Sequence, residues 1–201
     1  RMFAALALGR LRHAPAAAPL VELLRTNADQ DRYIRHAAVV ALTSIGDRDL
    51  IGAAASDKDV PVRMAALLVM RRWRDARVVR FLDDSEIQLV TEAARAIHDL
   101  QLDGEPLAKL AQSAARIIAS PTPLPEPLVR RMIDANFKIA RRDNIELLAR
   151  IAAAPRTSDF ARRETLQSLA LLTSAVPRDR VNGVWAPHAP TDSALVREVL
   201  D

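Results

Sequence analysis

The sequence predicts an all-α fold, a right-handed superhelix of stacked helical hairpins, and two observations lead to this prediction. Half of the 201 residues are apolar, only 3% are aromatic and 5 are glycine, a composition that favours helices over strands. Apolar residues also recur at the i, i+3, i+4 spacing of an amphipathic helix, and this pattern repeats along the chain. Hairpins with one apolar face must stack to bury it, which gives a solenoid with a continuous core.

The clearest repeat begins at Ile34, where six apolar positions with helical spacing mark one face of a helix. We call these positions the slots of the repeat. The same slots recur 28 residues later from Val62 and again from Val90. They reappear from Val129 after a longer interval that contains the proline-rich loop 120–127, in which closely spaced prolines exclude helix. These segments are predicted to be the longer, second helices of successive hairpins.

Shorter apolar segments are predicted to be the first helices of the hairpins, joined to the second helices by tight polar turns. The first of these segments lie at 18–24, 49–55 and 76–82. Two further hairpins are predicted downstream, from the segments 105–119, 127–140, 144–153 and 159–172. The solenoid is therefore expected to cover residues 1–173.

The helical pattern stops after Leu172, and the next segment is rich in proline and lacks an apolar period. We expect residues 174–192 to form an extended connector that runs back over the solenoid, with the ring of Trp185 buried against it as an anchor. Residues 193–201 resume helical spacing and are predicted to start a further, truncated helix. Because the sequence opens on Arg1 in mid-pattern, we expect it to be a piece of a longer protein.

Acidic and arginine residues recur four positions apart at the start of second helices. An acid at this position meets the positive end of the helix dipole and can reach a cation at i+4. We therefore expect these residues to form structural ion pairs that stabilise the stack. The three predicted pairs are Asp31 with Arg35, Asp59 with Arg63, and Asp159 with Arg163.

Five arginines fall between Arg71 and Arg80, with Trp73 among them, a pattern also typical of nucleic-acid-binding patches. Trp73 occupies the last inward slot of its helix, so we expect it to cap the core rather than stack on bases. Four acidic residues leave a net charge of only +1 over residues 71–86, and the whole chain carries +4. Phosphate binding depends on uncompensated positive charge, so nucleic-acid binding is a minor alternative.

The sequence carries no recognisable catalytic motif, and we predict a non-catalytic segment with no cofactor and no metal. It has no cysteine, which excludes disulfides, cysteine-based zinc sites and thiol catalysis. Its four histidines are scattered and none forms a His-Glu pair, unlike the ligands of iron-binding helical-repeat hydroxylases. His98, beside Asp99, is predicted to be a core or helix-end histidine rather than a metal ligand.

Two motifs resemble the HEAT-repeat superfamily, in the short form called PBS-lyase HEAT-like repeats. They are D-x-x-x-R-x-A-A-x-x-A-L at 31–42, with a counterpart at 59–70, and V-T-E-A-A-R-A-I at 90–97. The resemblance covers residues 1 to about 173 and implies an α-solenoid. It implies no activity, because such solenoids have many functions.

A more particular resemblance comes from the order of EAARAIHDL, DANFKIARRDNIELLARIAA and PRDRVNGVWAP. This order is similar to the HEAT segment of membrane-bound dehydrogenase proteins of planctomycetes and verrucomicrobia. Those proteins also carry a β-propeller dehydrogenase-like domain and a c-type haem domain. The resemblance implies a periplasmic or membrane-associated parent oxidoreductase, but no catalytic or haem-ligating residue can be carried over to this sequence.

We therefore expect a scaffold that contacts a protein partner or neighbouring domains of the same chain, without membrane insertion by this segment. A free-standing protein- or peptide-binding adaptor is the alternative. Second helices usually line the concave surface of such stacks, so their outward residues are the candidate partner contacts. These residues are His36, Arg71, Arg72, Glu92 and Arg95.

Overall fold

The computed structural model describes residues 1–200 and shows an all-helical chain with one short β-hairpin. The helical fold agrees with the sequence prediction. The chain divides into two compact units, unit 1 from Arg1 to Ala93 and unit 2 from Ala94 onward. Over the described residues, no helix combines the length and the apolar character that crossing a membrane requires.

Unit 1 is built from helices that pack in two layers. Its helices are α1 (Met2–Arg10), α2 (Ala17–Asn27), α3 (Arg32–Ile45), α4 (Arg48–Ala54), α5 (Val60–Trp73) and the first part of α6 (Ile87–Asp99). Two 3-10 helices, Ala14–Ala16 and Ala76–Asp83, complete the unit, the second of them where the sequence pattern predicts a short α-helix. Helix α3 contacts α1 and α5, and α2 contacts α4.

The apolar slots of the repeat are the buried face of the second helices. In α5, for example, Ala65, Ala66 and Met70 are buried. Helix α3 also buries Val39, outside the predicted face, because it is covered on two sides by α1 and α5. Gly9 permits the close approach of α1 to α3, since a Cβ there would lie 2.5 Å from the Cα of Ala41.

Unit 2 is centred on a helix that contacts three others. After the end of α6 it contains α7 (Glu105–Gln112), a 3-10 turn (Ser113–Ala115), α8 (Arg116–Ala119), α9 (Glu126–Ile139), α10 (Arg142–Ala153), α11 (Asp159–Leu171) and α12 (Ser193–Leu200). Helix α9 contacts α7, α10 and α11. Phe137 of α9 is buried in one core cluster with Ile145 and Leu172.

The connector after Leu172 differs from the prediction, because it folds into an antiparallel hairpin of β1 (Val176–Arg178) and β2 (Trp185–His188). Trp185 is 68% exposed, so the prediction of a buried anchor is wrong. Alternation along β2 explains the difference, since Trp185 and Pro187 face outward while His188 is half-buried. The ring of His188 packs on Phe137 with centroids 4.6 Å apart.

The first predicted ion pair, Asp31 with Arg35, is not formed. Asp31 instead caps α3, and its carboxylate accepts the backbone N–H of Tyr33 at 2.7 Å. Arg35 pairs with Asp29 at 3.0 Å. Capping satisfies a backbone donor that has no partner within the helix, and this local demand determines where the Asp31 carboxylate lies.

The other two predicted pairs are not formed either. Asp59 pairs with Arg25, and Arg63 forms a two-pronged bond with Asp84 at 2.9 and 3.0 Å. Over residues 1–200, no ion pair joins Asp159 and Arg163; Asp159 lies in the first turn of α11, next to the capping Ser158. A planar guanidinium prefers a carboxylate that it can reach with two N–H groups, which favours these distant partners over i+4 neighbours.

Candidate functional site

A buried polar cluster in unit 2 is the most unusual chemical feature of the described chain. It brings together His98 at the end of α6, Asp134 and Lys138 on α9, and Asp179 after β1. The side chains of His98 and Asp179 are 0% exposed and that of Asp134 is 2% exposed. Buried ionisable groups persist only when they are paired, so the geometry of this cluster decides what it can do.

Local structure explains why these side chains converge. His98 continues the inward slots of α6, so the helical period turns it into the core. Asp134 and Lys138 lie four residues apart on α9 and therefore share one face. Asp179 is held by a turn, in which its Oδ1 accepts the backbone N–H groups of Val181 at 2.8 Å and Asn182 at 2.9 Å.

The four side chains make a closed set of short contacts. His98 Nε2 lies 2.8 Å from Asp134 Oδ2 and 3.5 Å from Asp179 Oδ2. The ammonium of Lys138 lies 2.5 Å from Asp179 Oδ2, 3.3 Å from Asp134 Oδ2 and 3.1 Å from His98 Nε2. One cation therefore contacts two carboxylates and the imidazole.

A second layer holds the opposite side of the imidazole. His98 Nδ1 lies 3.0 Å from Asp99 Oδ1, and the guanidinium of Arg131 donates two hydrogen bonds to Asp99, at 2.9 and 2.8 Å. The Asp99 carboxylate thus has a fixed orientation. Through it, Arg131 fixes the plane of the His98 ring.

Burial and hydrogen bonding act in opposite directions on these groups. Burial lowers the pKa of His98, but the hydrogen bonds with Asp134 and Asp99 raise it by a larger amount, so the net pKa is above its ordinary value. Burial raises the pKa of Asp99, yet His98 and Arg131 lower it to about 2. Burial also raises the pKa of Asp179, but its bonds with Lys138 and with the N–H of Asn182, together with the nearby positive charges, lower it by more, so the net pKa is below its ordinary value.

The charges of the cluster balance when His98 is protonated. Three carboxylates then face three cations: Asp99, Asp134 and Asp179 against His98, Lys138 and Arg131. A balanced set of this kind can exist in a protein interior, whereas one unpaired charge costs several kcal/mol there, about 3–5.

Two buried atoms next to this network have no protein partner, Oδ1 of Asp134 and Nε2 of His188. Burial lowers the pKa of His188. The charge of Asp134 raises it and that of Lys138 lowers it, so the net pKa is below its ordinary value. The imidazole of His188 is therefore held in the neutral form, with a lone pair on one nitrogen. Unpartnered buried polar atoms are rare in native proteins.

The donor atoms of the cluster could hold a metal ion. One atom each from His98, Asp134 and Asp179 lies within 4.8 Å of the other two. Imidazole nitrogen and carboxylate oxygen are both zinc ligands, and the hydrogen bond from His98 to Asp99 is the usual outer contact of a metal-binding histidine. The ammonium of Lys138 also lies among these atoms, so an ion would compete with it.

The residues predicted as partner contacts lie elsewhere. His36 and Arg72 are exposed on α3 and α5. Arg71 and Glu92 are half-buried and form an ion pair with each other, and Arg95 is half-buried on α6. These residues offer surface contacts and form no part of the buried cluster.

Trp73 lies half-buried at the end of α5, where its Nε1 donates to the carbonyl of Thr43 at 3.1 Å. The guanidinium of Arg48 lies 4.8 Å from the centre of its ring. The ring therefore contacts groups from α3 and α4, and the guanidinium of Arg48 occupies one of its faces.

The sequence predicted that His98 is a core or helix-end histidine but gave none of its partners other than the adjacent Asp99. On α9 only Asn136 interrupts the predicted apolar face, whereas Asp134 lies outside that face; both are buried, so the face alone did not indicate Asp134. No local pattern singles out Asp179. It does belong to the Pro-Arg-Asp-Arg segment on which the resemblance to the dehydrogenase-associated HEAT segment most depends.

The fold and the cluster define an all-α protein with a buried ionic site. Comparison with protein-family models, with curated proteins and with solved structures finds no match. The resemblance to HEAT repeats rests on the motifs quoted above, and it stays a prediction.

Proposed function

We propose that this chain is a non-catalytic helical-repeat scaffold of the HEAT type, which docks a protein partner or neighbouring domains of a parent protein. The layering of unit 1 is the observation that carries the proposal. Helices α1, α3 and α5 follow one another in contact, and α3 is covered on both sides. This arrangement is typical of a solenoid, in which each hairpin packs only on its neighbours, and we propose a right-handed superhelix.

Polar contacts between neighbouring hairpins support the same interpretation. Arg25 bonds Asp57, 32 residues away, at 2.9 and 2.8 Å. Arg48 bonds Asp75, 27 residues away, at 3.2 Å. Contacts at close to the repeat length are expected when equivalent positions of successive hairpins lie side by side. They fix the register of hairpins that apolar packing alone would hold less specifically.

The proposed docking surface consists of the exposed side chains of the second helices in unit 1, His36 on α3 and Arg72 on α5. Both belong to packed helices, so their backbone is already ordered and only the side chains lose freedom on binding. The ion pair of Arg71 with Glu92 leaves Arg72 as an uncompensated charge beside it. We therefore expect a partner surface with acidic character.

Most arginines between residues 71 and 80 are bound to other groups of the protein, which argues against the nucleic-acid alternative. Arg77 is bound to Asp75 through three contacts, the shortest 2.7 Å. Arg80 donates to Ser56 at 2.5 Å and to the carbonyl of Gly52 at 3.4 Å. Such a surface releases few counterions from a phosphate backbone.

Site-specific photo-crosslinking in the full-length parent chain tests the proposal. A photoreactive residue replaces His36 or Arg72, and the same residue at Ala53, which is exposed on the first helix α4, is the matched control. We expect crosslinks from positions 36 and 72 to converge on one partner or one other domain, and position 53 to miss it. Equal labelling from all three positions, or none, would overturn the proposal.

The neighbouring sequence separates the two forms of the proposal. A downstream Cys-x-x-Cys-His motif and an upstream β-rich domain would support a scaffold within a dehydrogenase and cytochrome protein. Their absence from the complete open reading frame would leave the free-standing adaptor.

A further inference from the structure

We propose that the buried cluster of unit 2 is a binding site for a divalent transition-metal ion such as Zn²⁺. The ligands are His98 Nε2 and the carboxylates of Asp134 and Asp179, and the ammonium of Lys138 takes the place of the ion in the metal-free protein. This site is independent of the scaffold function, which requires no metal.

The donor set carries the first step of the argument. The three donor atoms belong to α6, α9 and the turn after β1, and each lies within 4.8 Å of the other two. Ligands about 2.0–2.2 Å from a zinc ion lie about 3–4 Å from one another. His98 Nε2 lies 2.8 Å from Asp134 Oδ2 and 3.5 Å from Asp179 Oδ2, so the first distance is slightly shorter than this spacing, the second falls within it, and small side-chain rotations would complete the site.

The surroundings of His98 carry the second step. A metal-binding histidine presents one nitrogen to the ion and donates the other N–H to a carboxylate or carbonyl. In this structure Asp99 lies at 3.0 Å from Nδ1, and Arg131 holds Asp99 with two bonds. Nε2 is thereby directed at Asp134 and Asp179, as ligation requires.

The unpartnered atoms are an independent observation. Asp134 is 2% exposed, yet its Oδ1 has no hydrogen-bond donor. His188 Nε2 is likewise buried without a partner, and its imidazole is electrostatically coupled to Asp134. A cation beside Asp134 would use the spare oxygen, and its charge would remove the cost of burying an unsatisfied acceptor.

Lys138 gives the site a specific competitor. Its ammonium contacts all three proposed ligands, but the side chain is 21% exposed and can move its charge towards solvent. A divalent ion would therefore take the place of the ammonium among the two carboxylates and the imidazole.

Metal binding by the full chain, stripped with chelator, tests the proposal. Zn²⁺ titration followed by calorimetry and elemental analysis should give one ion per chain and a rise in Tm. Co²⁺ should give visible absorption bands of a protein-bound ion. His98→Gln and Asp179→Asn should weaken Zn²⁺ affinity at least tenfold, while His36→Gln, a change at an exposed histidine, should leave it unaltered.

Lys138→Ala separates a metal site from a permanently closed ion cluster. Without metal this variant should have a lower Tm than wild type, and with Zn²⁺ it should bind more tightly than wild type because the competitor is gone. Should His98→Gln fail to fold, Asp99→Asn, which alters only the outer contact, should weaken binding about 10- to 100-fold. Absence of stoichiometric Zn²⁺ in both wild type and Lys138→Ala, or equal losses in His36→Gln and His98→Gln, would overturn the proposal.

Discussion

Asp179 fastens the β-hairpin to the helices of unit 2, and Asp179→Ala in metal-free buffer should therefore be strongly destabilising. The substitution removes the bond to Lys138 at 2.5 Å and the two bonds from the backbone N–H groups of Val181 and Asn182. A hydrogen bond between charged groups contributes about 1.5–3 kcal/mol and a neutral one about 1 kcal/mol. The expected loss is about 3–5 kcal/mol, as for other broken buried ion pairs.

Two matched variants divide this loss into its parts. Asp179→Asn retains an oxygen for the turn and loses the charge, so it should lose the part that belongs to Lys138, about 2–3 kcal/mol. Asp192→Ala removes an exposed carboxylate that accepts only the N–H of Ala194, at 2.9 Å. It should cost about 1 kcal/mol, the usual value for a lost cap.

Urea unfolding monitored by circular dichroism measures the global change, and hydrogen exchange measures opening of the hairpin. The informative amide is that of Gly183, which donates to the backbone carbonyl of residue 179. Both partners are backbone atoms, so none of the substitutions removes either of them. Its exchange should accelerate in the order Asp192→Ala, Asp179→Asn, Asp179→Ala. If Asp179→Ala costs no more than Asp192→Ala, the carboxylate of Asp179 does not anchor the hairpin and the reasoning fails.

Three predictions concern unit 1. Gly9→Ala should lower the free energy of unfolding by about 1–3 kcal/mol, because the added Cβ collides with the backbone of α3. Gly52→Ala, the control within a helix, should be neutral or stabilise by up to about 1 kcal/mol. Urea unfolding of the two variants measures the difference. The pKa of Asp57 is lowered from 3.8 to about 2, chiefly by its hydrogen bond with Arg25. The contribution of this ion pair to stability is therefore present above pH 3.8 and is lost as the pH falls towards 2. Asp57→Asn should reduce the loss of stability in this acidic range when the free energy of unfolding is measured against pH. Trp73→Phe should lower stability by about 1 kcal/mol through loss of its Nε1 hydrogen bond, seen as a lower Tm; an unchanged Tm would contradict this role.

The helix faces could be predicted because they depend on a local period. Whether Ala65 or Met70 is buried follows from its position within one helix and from the apolar character of its neighbours at i+3 and i+4. The same rule placed His98 on the inward side of α6. It needs no knowledge of which element lies opposite.

The ion pairs could not be predicted in the same way, because the choice of partner depends on distant elements. Arg63 had Asp59 four residues away, but Asp59 contacts Arg25, and Asp84 offers Arg63 two oxygens 21 residues along the chain. The spacing along a helix indicates only which acidic and basic side chains can reach each other. The packed structure decides which of them forms, since it sets the geometry and the competition between partners.

The connector was misjudged for a related reason. A ring as large as that of Trp185 is usually buried, and composition alone supported this expectation. The register of the hairpin decides otherwise, because the turn held by Asp179 places His188 on the inner side of β2 and Trp185 on the outer side. A strand of four residues has too few positions for its period to be recognised against the prolines around it.

Polarity at position 98 follows from what covers it. The equivalent slots of α3 and α5 hold Leu42 and Met70, which are also buried, and an apolar side chain suffices there because no carboxylate lies beside it. The slot of α6 is completely buried and lies next to the Asp179 carboxylate, which the turn requires. An apolar residue at 98 would leave Asp179 and Asp134 with Lys138 as their shared cation, a net charge of −1 among these three groups. The histidine and the hairpin turn therefore depend on each other. We expect His98→Leu to lower the free energy of unfolding less in the Asp179→Asn variant, which has lost one carboxylate, than in the wild type. Equal losses in the variant and the wild type would show that position 98 and the turn are independent.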